Sequence, residues 1–255
     1  SIGGLFMAGI IPGILIALLM MSTVLVYAKR RNYPVYGRAT RKEFFQALGS
    51  ASLALVTPAI IVGGIVGGFF TPTEASVIAV IYSAALGGVI YRSIERREFP
   101  KVLYESARLA AISLFCIGTA SAFGWLLAYH RVPQALVDVM AGWGTGFVTT
   151  GLLIALSFLF VGMFIDAIPA IIVLGTVLLP LADTVGMHPI HFAVIGVISL
   201  AFGLVTPPYG LCLLISCTLG EVQVVNVLKD VAIILVPMLI LLIVIIVFPE
   251  FVLFL

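Results

Sequence analysis

Of 255 residues, 62% are hydrophobic and 9% charged, against about 45–50% and about 25% in ordinary soluble domains. Thirteen Lys/Arg and eleven Asp/Glu cannot clothe a fold of this size in a water-compatible surface, and a formal net charge of +2 offers phosphate no electrostatic footprint. A soluble enzyme, a disordered chain and a nucleic-acid binder are excluded, and the composition calls for an all-α polytopic membrane protein embedded in a lipid bilayer.

The chain opens Ser1-Ile2-Gly3-Gly4, with neither a charged leading region nor a small-residue cleavage site, so it does not read as a signal peptide. It is expected to be a piece of a longer polypeptide. Crossing about 30 Å of hydrocarbon takes roughly 20 apolar residues in a helix, and Leu5 to Ala28 supplies them. Lys29, Arg30, Arg31, Arg38, Arg41 and Lys42 follow, opposed only by Glu43. A second charged stretch runs from Arg92 to Arg108, again with a basic excess. Lys and Arg favour short cytoplasmic loops, so both stretches belong inside, and the first also meets anionic lipid headgroups.

The interval between them, Ala47 to Tyr91, must leave the cytoplasm and return. Gly63 to Ala75 breaks it near the middle, and Thr73 before Glu74 is the expected N-cap of the returning helix. Glu74 itself reads either as first-turn helix stabilisation or as a contact for an ion or partner. A span over Leu109–Tyr129 ends at His130-Arg131-Val132-Pro133, where Arg131 reads as a loop charge or as a contact for a carboxylate. Trp125 and Trp143 suit interfacial anchoring. Cys116, Cys212 and Cys217 lie in apolar stretches without a CxxC pair and read as small helix-face residues.

Glycines at 142, 144, 146 and 151 then interrupt the pattern, Phe147 to Phe164 runs apolar, and Asp166 and Pro169 break it before a second run ending at Pro180. The two flanks suit a re-entrant helical hairpin. At its tip Asp166 would face protein, water or an ion; the alternative is that Asp166 caps the next helix in an ordinary turn. His188 and His191 flank a helix start at Pro189 and lack a third ligand for a metal.

The sharpest interruption lies within the apolar stretch from Phe192 to Leu219, where Gly203, Thr206, Pro207, Pro208 and Gly210 fall together. Two successive prolines leave the carbonyls of the preceding turn without helical donors. Such backbone survives at membrane depth only against protein or a wet cavity. The reading is a discontinuous helix, with a Pro-kinked ordinary span as the alternative. Free carbonyls and the Thr206 hydroxyl are oxygen ligands suited to Na⁺, and a half-helix starting at Pro207 would turn its N-terminus toward an anion. A last helix is expected over 231–253.

Gly67 to Ala75, Gly162 to Ala170, His188-Pro189 with His191-Phe192, and Gly203 to Leu211 occur in the order and spacing of one family. The chain resembles the large membrane subunit of TRAP transporters (tripartite ATP-independent periplasmic transporters), over nearly its whole length. The resemblance implies one inverted repeat of an elevator-type transporter, holding the hairpin and the discontinuous helix. Residues 1–46 would be the last span of a first repeat with its basic linker, and residues 47–255 the second repeat. Within the latter, 47–140 would form scaffold helices and 146–219 the transport elements. It implies Na⁺-coupled uptake of an organic acid, such as a C4-dicarboxylate or a sialic acid, in the bacterial inner membrane. Its partners would be a periplasmic substrate-binding protein and a small membrane subunit. Carried over by position, Gly162, Asp166, Gly203, Val205, Thr206 and Pro207 would bind Na⁺, and Ala167, Pro169, Pro208 and Tyr209 the substrate. Tyr209 departs from the small or aliphatic residue expected there, through ring packing or a hydroxyl turned to the substrate.

An intramembrane aspartyl enzyme would need a second carboxylate beside Asp166, but Asp183 lies past Pro180, and neither HExxH nor GxSxG is present. An uncoupled channel would call for a ring of charge that the sequence lacks.

Overall fold

A computed structural model describes the chain apart from Pro34, Val35, Tyr36, Arg38, Ile94, Arg96, Trp143, Thr145 and Leu255. The expectations attached to Arg38 and Trp143 therefore lie outside the described residues. Among those described, every element is helical, and six helices are long and apolar enough to cross a membrane. The first predicted span divides at Gly9 into α1 (Ile2–Ala8) and α2 (Ile10–Arg30). The chain forms two compact units, residues 1–7 with 31–110, and residues 8–30 with 111–255.

In the first unit, α3 (Arg41–Val66) and α4 (Pro72–Ala85) form an antiparallel pair, and a π-turn, Leu86–Ile90, continues α4. Both helices start with a reciprocal cap. The Thr40 N–H donates to the Glu43 carboxylate at 2.7 Å while the Glu43 N–H donates to the Thr40 hydroxyl at 3.3 Å. Thr71 and Glu74 repeat the arrangement at 2.8 and 3.3 Å. The cap is thus Thr71, not Thr73. Pro72 occupies the first helical position, where a missing N–H costs nothing, and shifts the start two residues upstream. Glu74 accordingly spends its carboxylate on its own helix end. The connecting turn needs Gly68, at φ +71°, and Gly64, where a Cβ would stand 2.6 Å from the Phe70 ring. Tyr82 and Tyr91 donate from the returning arm to the α3 carbonyls of Leu53 and Ser50.

α5 (Phe99–Tyr129) starts well before the predicted Leu109, because Lys101, Glu105 and Arg108 extend the apolar span as ordinary helix formers. Trp125 is exposed and stacks on Tyr129 at 5.4 Å.

The second unit holds the buried core. It contains α2, the short α6 (Val132–Gly142), α7 (Phe147–Gly162), α8 (Ala167–Thr184), α9 (Pro189–Gly203), α10 (Leu211–Leu219) and α11 (Val224–Val247). α7 and α9 lie side by side and run in the same direction: Phe147 stacks on His191, Phe158 meets Phe192 and Gly196, and Gly162 meets Leu200. Ile154, Phe158, Ile195, Leu200, Ile245 and Ile246 are fully buried there. α8 passes through Pro180, its predicted end, with the proline accommodated inside the helix. α11 begins and ends earlier than the predicted 231–253, and Pro249 opens a 3₁₀ turn, Pro249–Phe251, beyond it.

Direction in the membrane follows for this unit. α2 ends on Lys29 and Arg30, which the basic-loop bias assigns to the cytoplasm. The Tyr27 hydroxyl donates to Asp230 near the start of α11, so α11 starts at that face and runs outward. In a background lacking Cys116, Cys212 and Cys217, a membrane-impermeant thiol reagent applied from outside should label Glu250→Cys and spare Glu221→Cys. The reverse labelling pattern would refute this orientation.

Candidate transport site

Four helix ends converge on one joint. α7 ends at Gly162, and residues 163–166 turn the chain into α8; α9 ends at Gly203, and residues 204–210 lead to α10. A Cβ on Gly203 would fall 2.6 Å from the Leu159 carbonyl oxygen and 2.9 Å from Gly162 Cα. A Cβ on Gly162 would meet the Leu200 backbone and side chain at 3.1 to 3.2 Å. Main chain therefore lies directly on main chain, an approach that side chains would block. The Gly210 N–H donates to the Met163 carbonyl at 3.3 Å, tying the end of the interruption to the hairpin turn.

The interruption is organised by its own small bonds. Thr206 N–H donates to Gly203 at 2.9 Å, and Cys212 N–H reaches back to the Leu204 carbonyl at 3.0 Å. Gly210 takes φ +45°, and its missing Cβ leaves room for the Thr206 oxygen. The Pro207–Pro208 bond is cis. The second arm begins at Leu211 rather than Pro207, since both prolines are taken up in the turn and Gly210 becomes the cap position. Among the described residues, no hydrogen bond reaches the carbonyls of Val205, Thr206, Pro207 or Pro208. The Thr206 hydroxyl gives its proton to the Phe202 carbonyl, leaving its lone pairs free to accept or to coordinate.

Gly162, Gly203, Val205, Thr206 and Pro207 thus share one locality. Asp166 stands at the N-cap position of α8, with extended backbone at φ −63°, ψ 156°, but its side chain makes no cap bond. The side-chain cap weighed for it is absent, and α8 starts at Ala167, two residues before Pro169. Asp166 is exposed, and Ala167 and Pro169 are half-buried in the first turn of α8. Pro208 is exposed, and Tyr209 is 53% exposed, so its ring is not buried by packing. Nothing in the residue pattern points to the Leu159 and Met163 carbonyls, which enter only through tertiary contact. The histidines have structural work: His188 Nδ1 accepts from the Ile190 N–H at 3.2 Å, and Pro189 holds the first helical position.

Fold and site define a multi-pass helical membrane protein in which a helical hairpin and a discontinuous helix meet at their breaks. The chain belongs to the DctM component family of the tripartite ATP-independent periplasmic transporters, whose profile matches residues 1–251. It is 36% identical over 255 residues to the sialic acid TRAP transporter large permease protein of Vibrio cholerae, covering 100% of this chain and 60% of that protein. To the C4-dicarboxylate TRAP transporter large permease protein of Pseudomonas aeruginosa it is 34% identical over 216 residues, covering 85% of this chain and 51% of the relative. An isethionate TRAP transporter permease protein of Oleidesulfovibrio alaskensis is 35% identical over 225 residues, which is 88% of this chain and 35% of that protein. The chain spans about half the length of the curated relatives it matches. Members of the family are transporters of the bacterial inner membrane, not enzymes.

Gly203→Ala should push hairpin and interruption apart and cost about 1–3 kcal/mol of stability. Gly175→Ala, where a Cβ meets nothing within 4 Å, is the matched control and should be neutral or slightly stabilising. Thermal unfolding in detergent reads both, and equal behaviour of the two variants would count against the close approach.

Proposed function

We propose that this chain contributes the hairpin and discontinuous helix of a Na⁺-coupled uptake system for an organic anion. The observation that carries the reading is the joint itself, where unpaired carbonyls lie beside a hydroxyl whose proton is already spent. Neutral oxygens of this kind suit a hard monovalent cation, and no nitrogen or sulfur ligand is needed. Val205, Thr206, Pro207, Gly162 and Gly203 would offer main-chain oxygens, Thr206 its hydroxyl, and Asp166, in the hairpin turn, a carboxylate.

Helix polarity supports the pairing of cation and anion. α7 and α9 bring carbonyl ends to the joint, and α8 and α10 bring N–H ends. The carbonyl ends attract a cation, and the N–H ends a carboxylate or sulfonate. Ala167, Pro169, Pro208 and Tyr209 lie on that second side. The named substrates of the relatives, sialic acid, C4-dicarboxylate and isethionate, are all organic anions. In this reading a periplasmic binding protein delivers the anion and a small membrane subunit completes the permease. Residues 146–219 move as transport elements against scaffold helices in 47–140, in the manner of an elevator.

Proteoliposomes holding the intact permease and its binding protein should accumulate an organic anion only under an inward Na⁺ gradient; uptake indifferent to Na⁺ would point to an uncoupled or differently coupled carrier. Thr206→Ala should raise the Na⁺ concentration for half-maximal uptake by about tenfold, the loss of one ligand worth roughly 1.4 kcal/mol. An unchanged Na⁺ dependence would make Thr206 purely structural.

A further inference from the structure

A helix leaves the carbonyls of its last turn without partners of its own. In α11 the Phe248 N–H still reaches the Val244 carbonyl at 2.9 Å. The next helical donor for Ile245 would come from residue 249, but Pro249 has no N–H and Phe248 before it has left the helix, at φ −118° and ψ 84°, as a residue preceding proline tends to do. Ile245 is 0% exposed, so solvent does not serve instead.

The donor comes from another helix. His191 Nε2 lies 2.9 Å from the Ile245 oxygen, and since a carbonyl only accepts, Nε2 carries the proton. The imidazole is itself fully buried and stacked on Phe147 of α7, with ring centroids 5.8 Å apart. Gly151 of α7 brings α11 close at the same level, since a Cβ there would meet Ile246 Cγ2 at 2.6 Å. Three helices therefore meet around one side chain. His191 stands near the start of α9, and the far end of α9 is Gly203, which lies on Gly162.

We propose that His191 is a positioning residue: it replaces the N–H that Pro249 withholds from the Ile245 carbonyl, and so fixes α9 lengthwise against α11. A helix is stiff along its axis, so holding α9 at His191 sets where Gly203 meets the hairpin. The histidine touches neither ion nor substrate and acts through the joint.

The test is a double-mutant cycle on the intact permease, read first by thermal unfolding in detergent. His191→Leu should lower the midpoint by about 5 °C, the signature of a buried carbonyl left unpaired. His191→Gln, whose amide keeps an N–H, should lose less than half as much. Pro249→Ala alone should change little, and in the His191→Leu background it should restore most of the loss by giving residue 249 an N–H. A His191→Leu protein that folds only when Pro249→Ala accompanies it also supports the proposal. Strict additivity, or a double variant no better than His191→Leu, overturns it.

A second readout rests on the Na⁺-coupled reading above and is one that mere stabilisation would not move. His191→Leu, assayed well below its unfolding midpoint, should raise the Na⁺ concentration for half-maximal uptake by about threefold or more, and Pro249→Ala should bring it back. An unchanged value in His191→Leu refutes the positioning role. Should the parent protein ignore Na⁺, the coupling falls, and the thermal cycle alone decides whether His191 replaces the missing donor.

Discussion

Backbone polar groups removed from water must find partners inside the protein, and the hairpin turn and the helix interruption here are shaped by that demand. A helix meets it unaided; a broken helix does not. The chain breaks α9 from α10 and folds α7 onto α8, and each break is made tolerable by the other. Gly162 and Gly203 make this possible by omission: without side chains, the two main chains approach closely enough for the Gly210 N–H to find the Met163 carbonyl. The carbonyls that remain unpaired are thereby held beside the junction of the two breaks.

Proline is the chain's means of removing donors, and its effect depends on where it stands. At Pro72 and Pro189 it opens a helix, where a donor is superfluous. At Pro207 and Pro208 it strips two donors from consecutive positions and the helix stops. At Pro58, Pro180 and Pro237 it lies within a helix that continues. At Pro249 it leaves a carbonyl for a histidine on another element to satisfy. The same residue type thus ends, begins or merely marks a helix according to what its neighbours can supply.

This explains what could be read from the sequence and what could not. Apolar runs, basic stretches and clustered Gly and Pro marked the spans, the hairpin region and the interruption, because each reflects a local cost that no surrounding structure hides. Boundaries were less legible. Pro180 read as a stop and Thr73 as a cap, since neither packing around α8 nor the fit of Pro72 to a first turn is visible in composition. The second arm starts at Leu211, because the turn closes through Gly210 and Thr206 rather than at the first proline. In the joint, the residues of the interruption were nameable in advance, whereas the apposition of Gly162 with Gly203 and the roles of the Leu159 and Met163 carbonyls depend on contact between segments distant in sequence.

The length of α5 carries a consequence of its own. With 31 residues it extends over roughly 46 Å, well beyond a hydrocarbon layer of about 30 Å. Its apolar part, residues 109–129, spans about 31 Å and matches that layer by itself, whereas Lys101, Glu105 and Arg108 resist entry into lipid. The turns from Phe99 to Arg108 therefore stand about 15 Å beyond the hydrocarbon as a rigid helical post, which carries the charged end of this span away from the membrane without a separate element to support it.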